Sequence, residues 1–258
     1  MIKMLASLNY WQSIYILTKA ALVRVNRHSI LGSFWALVQP FVHMSIIAYI
    51  FSTLLKQPPE IMIKNLAVGV PMWSFLCVSL INSTQSLMMR EQIIKKCNIS
   101  KTMFIIADFN VGLISLVNSM LAMYILLIIL YLDSLSPIIL LSPILLLPFI
   151  ISILAVCMVA AYLTPYIRDI PQVIQLLTNT LYWTVPIIYP YSMIPESKRI
   201  FFEFHPIFLL MRPVQVMMVE QRFPDMIYII KSLLVMTIVV ISSYLIYRKL
   251  SRNVVYYL

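Results

Sequence analysis

The chain has 258 residues and a net charge of +10, and it is 62% apolar but only 11% charged, with a mean hydropathy of +0.93. A soluble domain is roughly half apolar and a quarter charged, so this chain has too few charged side chains to wet its own surface. That excludes a disordered chain, a collagen, a disulfide scaffold and an ordinary soluble enzyme, and predicts an all-α integral membrane protein.

Residues 1–30 come first. Trp11, Ile14, Tyr15, Ala21, Leu22 and Val25 fall on one helical face, with Asn9, Gln12, Ser13, Lys19 and Arg27 gathered opposite. The pattern predicts an amphipathic interface helix over 5–27, lying on the inner leaflet. Asn9, Gln12 and Lys19 interrupt the apolar run and no small-residue cleavage site follows, so the segment reads as a poor signal peptide.

Residues 31–258 form the expected transmembrane domain. A helix needs about 20 apolar residues to cross the hydrocarbon, and six segments qualify: 31–55, 66–89, 104–132, 138–164, 172–189 and 226–247. Pro40, Pro71, Pro148 and Pro186 lie inside them, which is tolerated where neighbours satisfy the freed carbonyls. Ahead of the sixth span, residues 190–225 are broken by Pro195, Pro206, Pro213 and Pro224, and the apolar pieces 200–204 and 207–211 are too short to cross. That predicts a proline-broken re-entrant segment of two short helices on the outer side.

Orientation follows from the basic residues. With the amino terminus inside, the inner segments hold Lys3, Lys19, Arg24, Arg27, Arg90, Lys95, Lys96, Lys101, Arg168, Arg248, Lys249 and Arg252, most of the 19 Lys and Arg. Both termini are therefore expected in the cytoplasm, with the chain in the cytoplasmic (inner) membrane. The same bias accounts for the basic charge without nucleic acid.

Motifs for chemistry are sparse. Gly32, Gly69 and Gly112 are the only glycines, so no Walker loop can be built. His28, His43 and His205 are scattered, and Cys77, Cys97 and Cys157 have no metal or disulfide spacing. No metal and no cofactor is expected on this chain.

The run Arg27, His28, Ser29, Ile30, Leu31, Gly32, Ser33, Phe34, Trp35, Ala36, Leu37, ending at Pro40, resembles the entry to the first span of type-2 ABC exporter permeases. Arg168, Asp169 and Ile170, followed by Tyr182, Trp183, Thr184, Val185, Pro186, Ile187, Ile188 and Tyr189 and then Ile194 and Pro195, is similar to the hallmark around the fifth span in the members that export O-antigen, capsule and teichoic acid. Two departures stand out: His205-Pro206 replaces a common Asn-Pro, and Cys97, Asn98, Ile99, Ser100 and Lys101 replace a Phe-Pro-Arg-like stretch.

The resemblance implies the membrane half of an exporter of undecaprenyl-linked glycan. It would be a homodimer in membrane lipid, working with two copies of a separate ATPase that holds ATP and Mg. Glu91, Gln92, Ile93, Ile94, Lys95 and Lys96 would form the coupling helix that docks on that ATPase. Arg168 and Asp169 would be structural, pairing locally or bracing the amino-terminal helix.

A glycan conduit needs aromatic platforms for C–H faces and amides for hydroxyls. On the fifth span Gln175, Asn179, Tyr182, Pro186 and Tyr189 recur at helical steps, with Trp183 beside them; on the first span Trp35, Gln39 and His43 do the same. These are the expected channel residues. Two rivals remain: a permease for a drug or small lipid, and a membrane glycosyl- or acyltransferase, which should cluster His, Asp or Glu at a membrane face.

Overall fold

The computed structural model describes residues 9–26, 35–56, 58–96, 99–131 and 136–258. Among them every regular element is helical. In chain order they are α1 (Tyr10–Asn26), α2 (Trp35–Leu55), α3 (Pro59–Ser86), a 3-10 turn (Met88–Arg90) leading into α4 (Glu91–Lys96), and α5 (Thr102–Tyr131). A 3-10 turn (Pro137–Leu141) then continues through α6 (Ser142–Leu145) into α7 (Leu147–Leu163), followed by α8 (Ile170–Leu181) and a 3-10 turn (Tyr191–Met193). Last come α9 (Glu196–Glu203), α10 (Pro206–Gln215) with a π turn (Val216–Glu220), α11 (Met226–Leu250) and a closing 3-10 turn (Val254–Tyr256).

Four stretches are long and apolar enough to cross a membrane: Glu60–Ser86, Thr102–Ile125, Pro137–Leu163 and Met226–Leu250. They fall on the second, third, fourth and sixth expected spans. The first is helical from Trp35 onward, its apolar part Met44–Leu54 being shorter than those four; residues 31–34 lie outside the described residues.

The fifth span differs from expectation. A single helix over 172–189 is not formed: α8 stops at Leu181, and helix-type bonding ends with the Thr184 N–H donating to the Leu181 carbonyl at 3.0 Å. Pro186 is the physical reason, since it has no N–H to return and drives Val185 out of helical backbone. Downstream, α9 and the α10 segment are two short helices, bent by 107° to one another.

The centre of the bundle is α3, whose apolar window is 72% buried against 11% for α11. Met62, Leu66, Met72, Phe75 and Leu76 pack on Phe109, Leu116 and Met120 of α5 and on Phe149, Ile153 and Cys157 of α7. Lipid tails are as apolar as these side chains, so close packing rather than water exclusion holds such helices together. A Cβ at Gly112 would lie 2.5 Å from Ser79 Oγ, which is why glycine stands where α5 closes on α3.

A second cluster caps one end of the bundle. Leu17 of α1, Leu87, Ile94 of α4, Phe104 and Ile105 of α5, Ala161 and Tyr162 of α7, and Val254 and Leu258 of the tail form it. Tyr166 Oη donates to the Leu250 carbonyl at 2.8 Å and its ring meets Tyr257 at 4.3 Å. These are the segments that the basic residues assign to one side of the membrane, and the fold brings them to one end.

On α1 a stripe faces the bundle. Ser13, Ile14, Leu17, Thr18 and Ala21 pack inward, while Trp11 and Tyr15, expected beside Ile14, stay exposed. Tyr10 Oη bonds Thr102 Oγ1 at 3.1 Å, and Asn110 Nδ2 donates to Thr18 Oγ1 at 3.4 Å. Hydroxyls facing α5 turn a polar-looking stripe into the buried one, leaving two aromatics outside.

Candidate functional site

The broken fifth helix lies along one face of α3. Asn65, Gly69, Trp73 and Cys77 recur every fourth residue, so they stack on a single side of that helix. Each receives part of the chain running the opposite way. Cys77 stands beside Thr178, and the Trp73 ring meets the Tyr182 ring edge-on at 5.7 Å. At Gly69 a Cβ would stand 2.8 Å from Ile187 Cγ2 and 3.3 Å from its Cα. Asn65 Nδ2 donates to the carbonyls of Ile187 at 2.7 Å and Tyr189 at 3.2 Å.

From the other side Gln215 Nε2, at the end of α10, donates to the Pro186 carbonyl at 3.0 Å. Asn65 and Gln215 are 4% and 2% exposed. Three carbonyls freed by the helix break thus find donors inside the protein, which irregular backbone in an apolar medium requires.

The expected channel residues separate into an outward and an inward group. Gln175 and Asn179 are exposed on α8, and Trp183 is 64% exposed. Tyr182, one residue earlier, is half-buried between Trp73 and Trp183, its ring 5.4 Å from the latter. Pro186 is buried and Tyr189 half-buried. Along the face expected to run straight from Gln175 to Tyr189, the residues after Asn179 are thus half-buried or buried: Tyr182 packs on Trp73, and Pro186 and Tyr189 lie past the end of the helix.

The side chains of Trp35, Gln39 and His43 lie outside the described residues; further along α2, Ile46 and Tyr49 are exposed. Tyr189 meets the end of α2 at a cavity of about 350 Å³ lined by Phe51, Met193, Ile194, Lys198 and Phe202.

At the turn between α9 and α10, His205 stands where the resembled pattern has asparagine. Its Nδ1 accepts from the Phe208 N–H at 3.3 Å, capping α10, and its Nε2 bonds Thr184 Oγ1 at 3.2 Å. An asparagine would cap with its side-chain oxygen; histidine does so with a ring nitrogen. Burial holds its pKa below the ordinary value, which keeps Nδ1 free to accept. Nearby, the buried Arg212 binds Glu220 at 2.6 Å and lies 4.5 Å over the Tyr191 ring, a pairing that residue spacing did not reveal.

At the opposite end, α4 joins α3 through the turn at Arg90. Arg90 grips Asp108 of α5 with two 2.7 Å bonds, donates to the Ser86 carbonyl at 2.9 Å and lies over the Phe104 ring. Within α4, Ile94 is buried in the second cluster and Ile93 partly so. Gln92, Lys95 and Lys96 face outward, with Lys95 on Glu91 at 2.7 Å. Arg168 and Asp169 are both exposed, and neither makes an ion pair among the described residues. Asp169 instead opens α8 with its backbone, its carbonyl accepting from the Val173 N–H at 3.1 Å. Among the described residues, ion pairs that link separate elements include Arg90–Asp108 here and Lys231–Glu203, at 3.2 Å, between α11 and α9.

No family model matches the chain. It is similar to a protein named O-antigen export system permease protein RfbA, from Myxococcus xanthus, at 22% identity over 230 residues covering 87% of each chain. That likeness supports the type-2 ABC polysaccharide permease family. With its apolar helices, the chain is a multi-pass membrane protein.

Proposed function

We propose that the chain is the permease subunit of an ATP-driven ABC exporter that moves lipid-linked polysaccharide, of O-antigen, capsule or teichoic-acid type, across the cytoplasmic membrane. The observation that carries this reading is the outward face of α8. Gln175, Asn179 and Trp183 stand exposed on the single chain although they belong to a membrane domain. Amides facing hydrocarbon cost several kcal/mol each, so this face is covered by something polar. A homodimer enclosing a glycan path supplies that cover, and the named function of the Myxococcus relative agrees with it.

In this reading ATP and Mg sit on two copies of a separate ATPase that dock at Glu91 to Lys96, with the outward Gln92, Lys95 and Lys96 as contacts. The amides exchange hydrogen bonds with sugar hydroxyls, and Trp183 offers C–H faces a flat platform. Loose contacts suit a conduit that must release its cargo. The chain is then a transport subunit and not an enzyme.

Deletion of the coding sequence tests the proposal: lipid-linked glycan should accumulate on the inner side of the membrane, and restoring the chain should clear it. Normal surface glycan in the deletion strain, with no internal accumulation, overturns it.

A further inference from the structure

The stretch 185–189 has no helix of its own to hold it, yet Val185 is 1% and Ile187 0% exposed. Its carbonyls are taken by two buried amides from opposite sides, Asn65 of α3 and Gln215 of α10. The close approach between α3 and Ile187 exists because position 69 is glycine. Above and below, Trp73 and Cys77 continue the contact to Tyr182 and Thr178. The same α3 runs through the Arg90 turn directly into α4, so this one helix touches both the outer aromatic segment and the docking turn.

We propose that Asn65 and Gln215 are positioning residues: Asn65 clasps 185–189 to α3 while Gln215 holds the same stretch from α10, which itself packs on α3, so that Tyr182, Trp183 and Tyr189 move with α3 as one body. Neither amide faces the glycan path; they act through the backbone they hold. The consequence for transport rests on the export reading above, whereas the clasp itself does not. Releasing it lets the aromatic segment part from α3, and a displacement begun at α4 no longer reaches it.

The test uses the full chain in membrane vesicles, with Cys77, Cys97 and Cys157 replaced by serine and Val185→Cys as reporter. A small water-soluble methanethiosulfonate is the probe. Asn65→Leu and Gln215→Met keep about the same size but remove the donor, leaving the carbonyls without a partner. Each should raise the labelling rate of position 185 about tenfold or more, since labelling of a buried thiol follows the fraction of time the segment is open. Gly69→Ala should do the same by pushing on Ile187, and adding Ile187→Ala, which removes the 2.8 Å contact, should bring the rate back down. Should an amide variant fail to accumulate in the membrane, the glycine pair carries the test alone.

Glycan export is measured in parallel in cells. Faster labelling with reduced export supports the proposal in full. Labelling unchanged in every variant overturns the clasp. Faster labelling with undiminished export upholds the clasp and overturns the assignment of this segment to the glycan path.

Discussion

His205 and Asn65 solve one problem at two points of the chain: each gives a backbone group a side-chain partner. His205 accepts from Phe208 N–H only while Nδ1 is unprotonated. Its folded-state pKa is depressed by burial below the ordinary 6.5. The cap is therefore fully present above the ordinary histidine value, and its stabilisation is lost as pH falls through the lower folded one. His205→Ala should cost about 1 kcal/mol of stability, as loss of an N-cap does. His205→Asn should retain most of that and should also flatten the acid sensitivity. Thermal unfolding in detergent across the acid range checks both; equal pH slopes for the histidine and asparagine forms would contradict the capping role.

Among the elements, α4 is six residues long and too short to be helical by itself. It persists because Ile94 plugs the second cluster and because Arg90, one residue earlier, is pinned to Asp108. The Arg90 side chain is 7% exposed, so removing only its partner leaves a buried charge unpaired. Asp108→Leu should accordingly destabilise by about 3–5 kcal/mol, and Arg90→Met with Asp108→Leu should recover much of the loss. Yield of folded protein after heating gives the ranking. Spacing identifies α4 as a basic loop after the second span, but the pair that holds it spans 18 residues and two helices, which no local pattern displays.

For the whole molecule, the second cluster gathers α1, α4, the start of α5, the end of α7 and the tail at one end, and from the excess of Lys and Arg there we propose that this end faces the cytoplasm. A cysteine introduced at Ser100 or Ser251 should therefore resist an impermeant thiol reagent added outside intact cells and react once the membrane is opened. Labelling from outside at either position would reverse the orientation.

Class, the four clear spans, the proline-broken stretch ahead of the last one and the location of the basic turns were all legible in the chain by itself, because hydropathy, length and charge act locally and the bilayer reads them residue by residue. The tertiary structure decided the rest. Gln175, Asn179, Tyr182, Pro186 and Tyr189 share a helical spacing, yet only the first two stand outward: Tyr182 packs on Trp73, and the helix ends before Pro186 and Tyr189. Asn65 lies one residue ahead of the second expected span and Gln215 within the proline-broken stretch, and no sequence pattern singles out either. Their use depends on carbonyls more than twenty residues away from Gln215 and more than a hundred from Asn65. A hydrogen bond between distant segments leaves no period in the sequence, so it becomes visible only when the helices that carry its two ends have packed together.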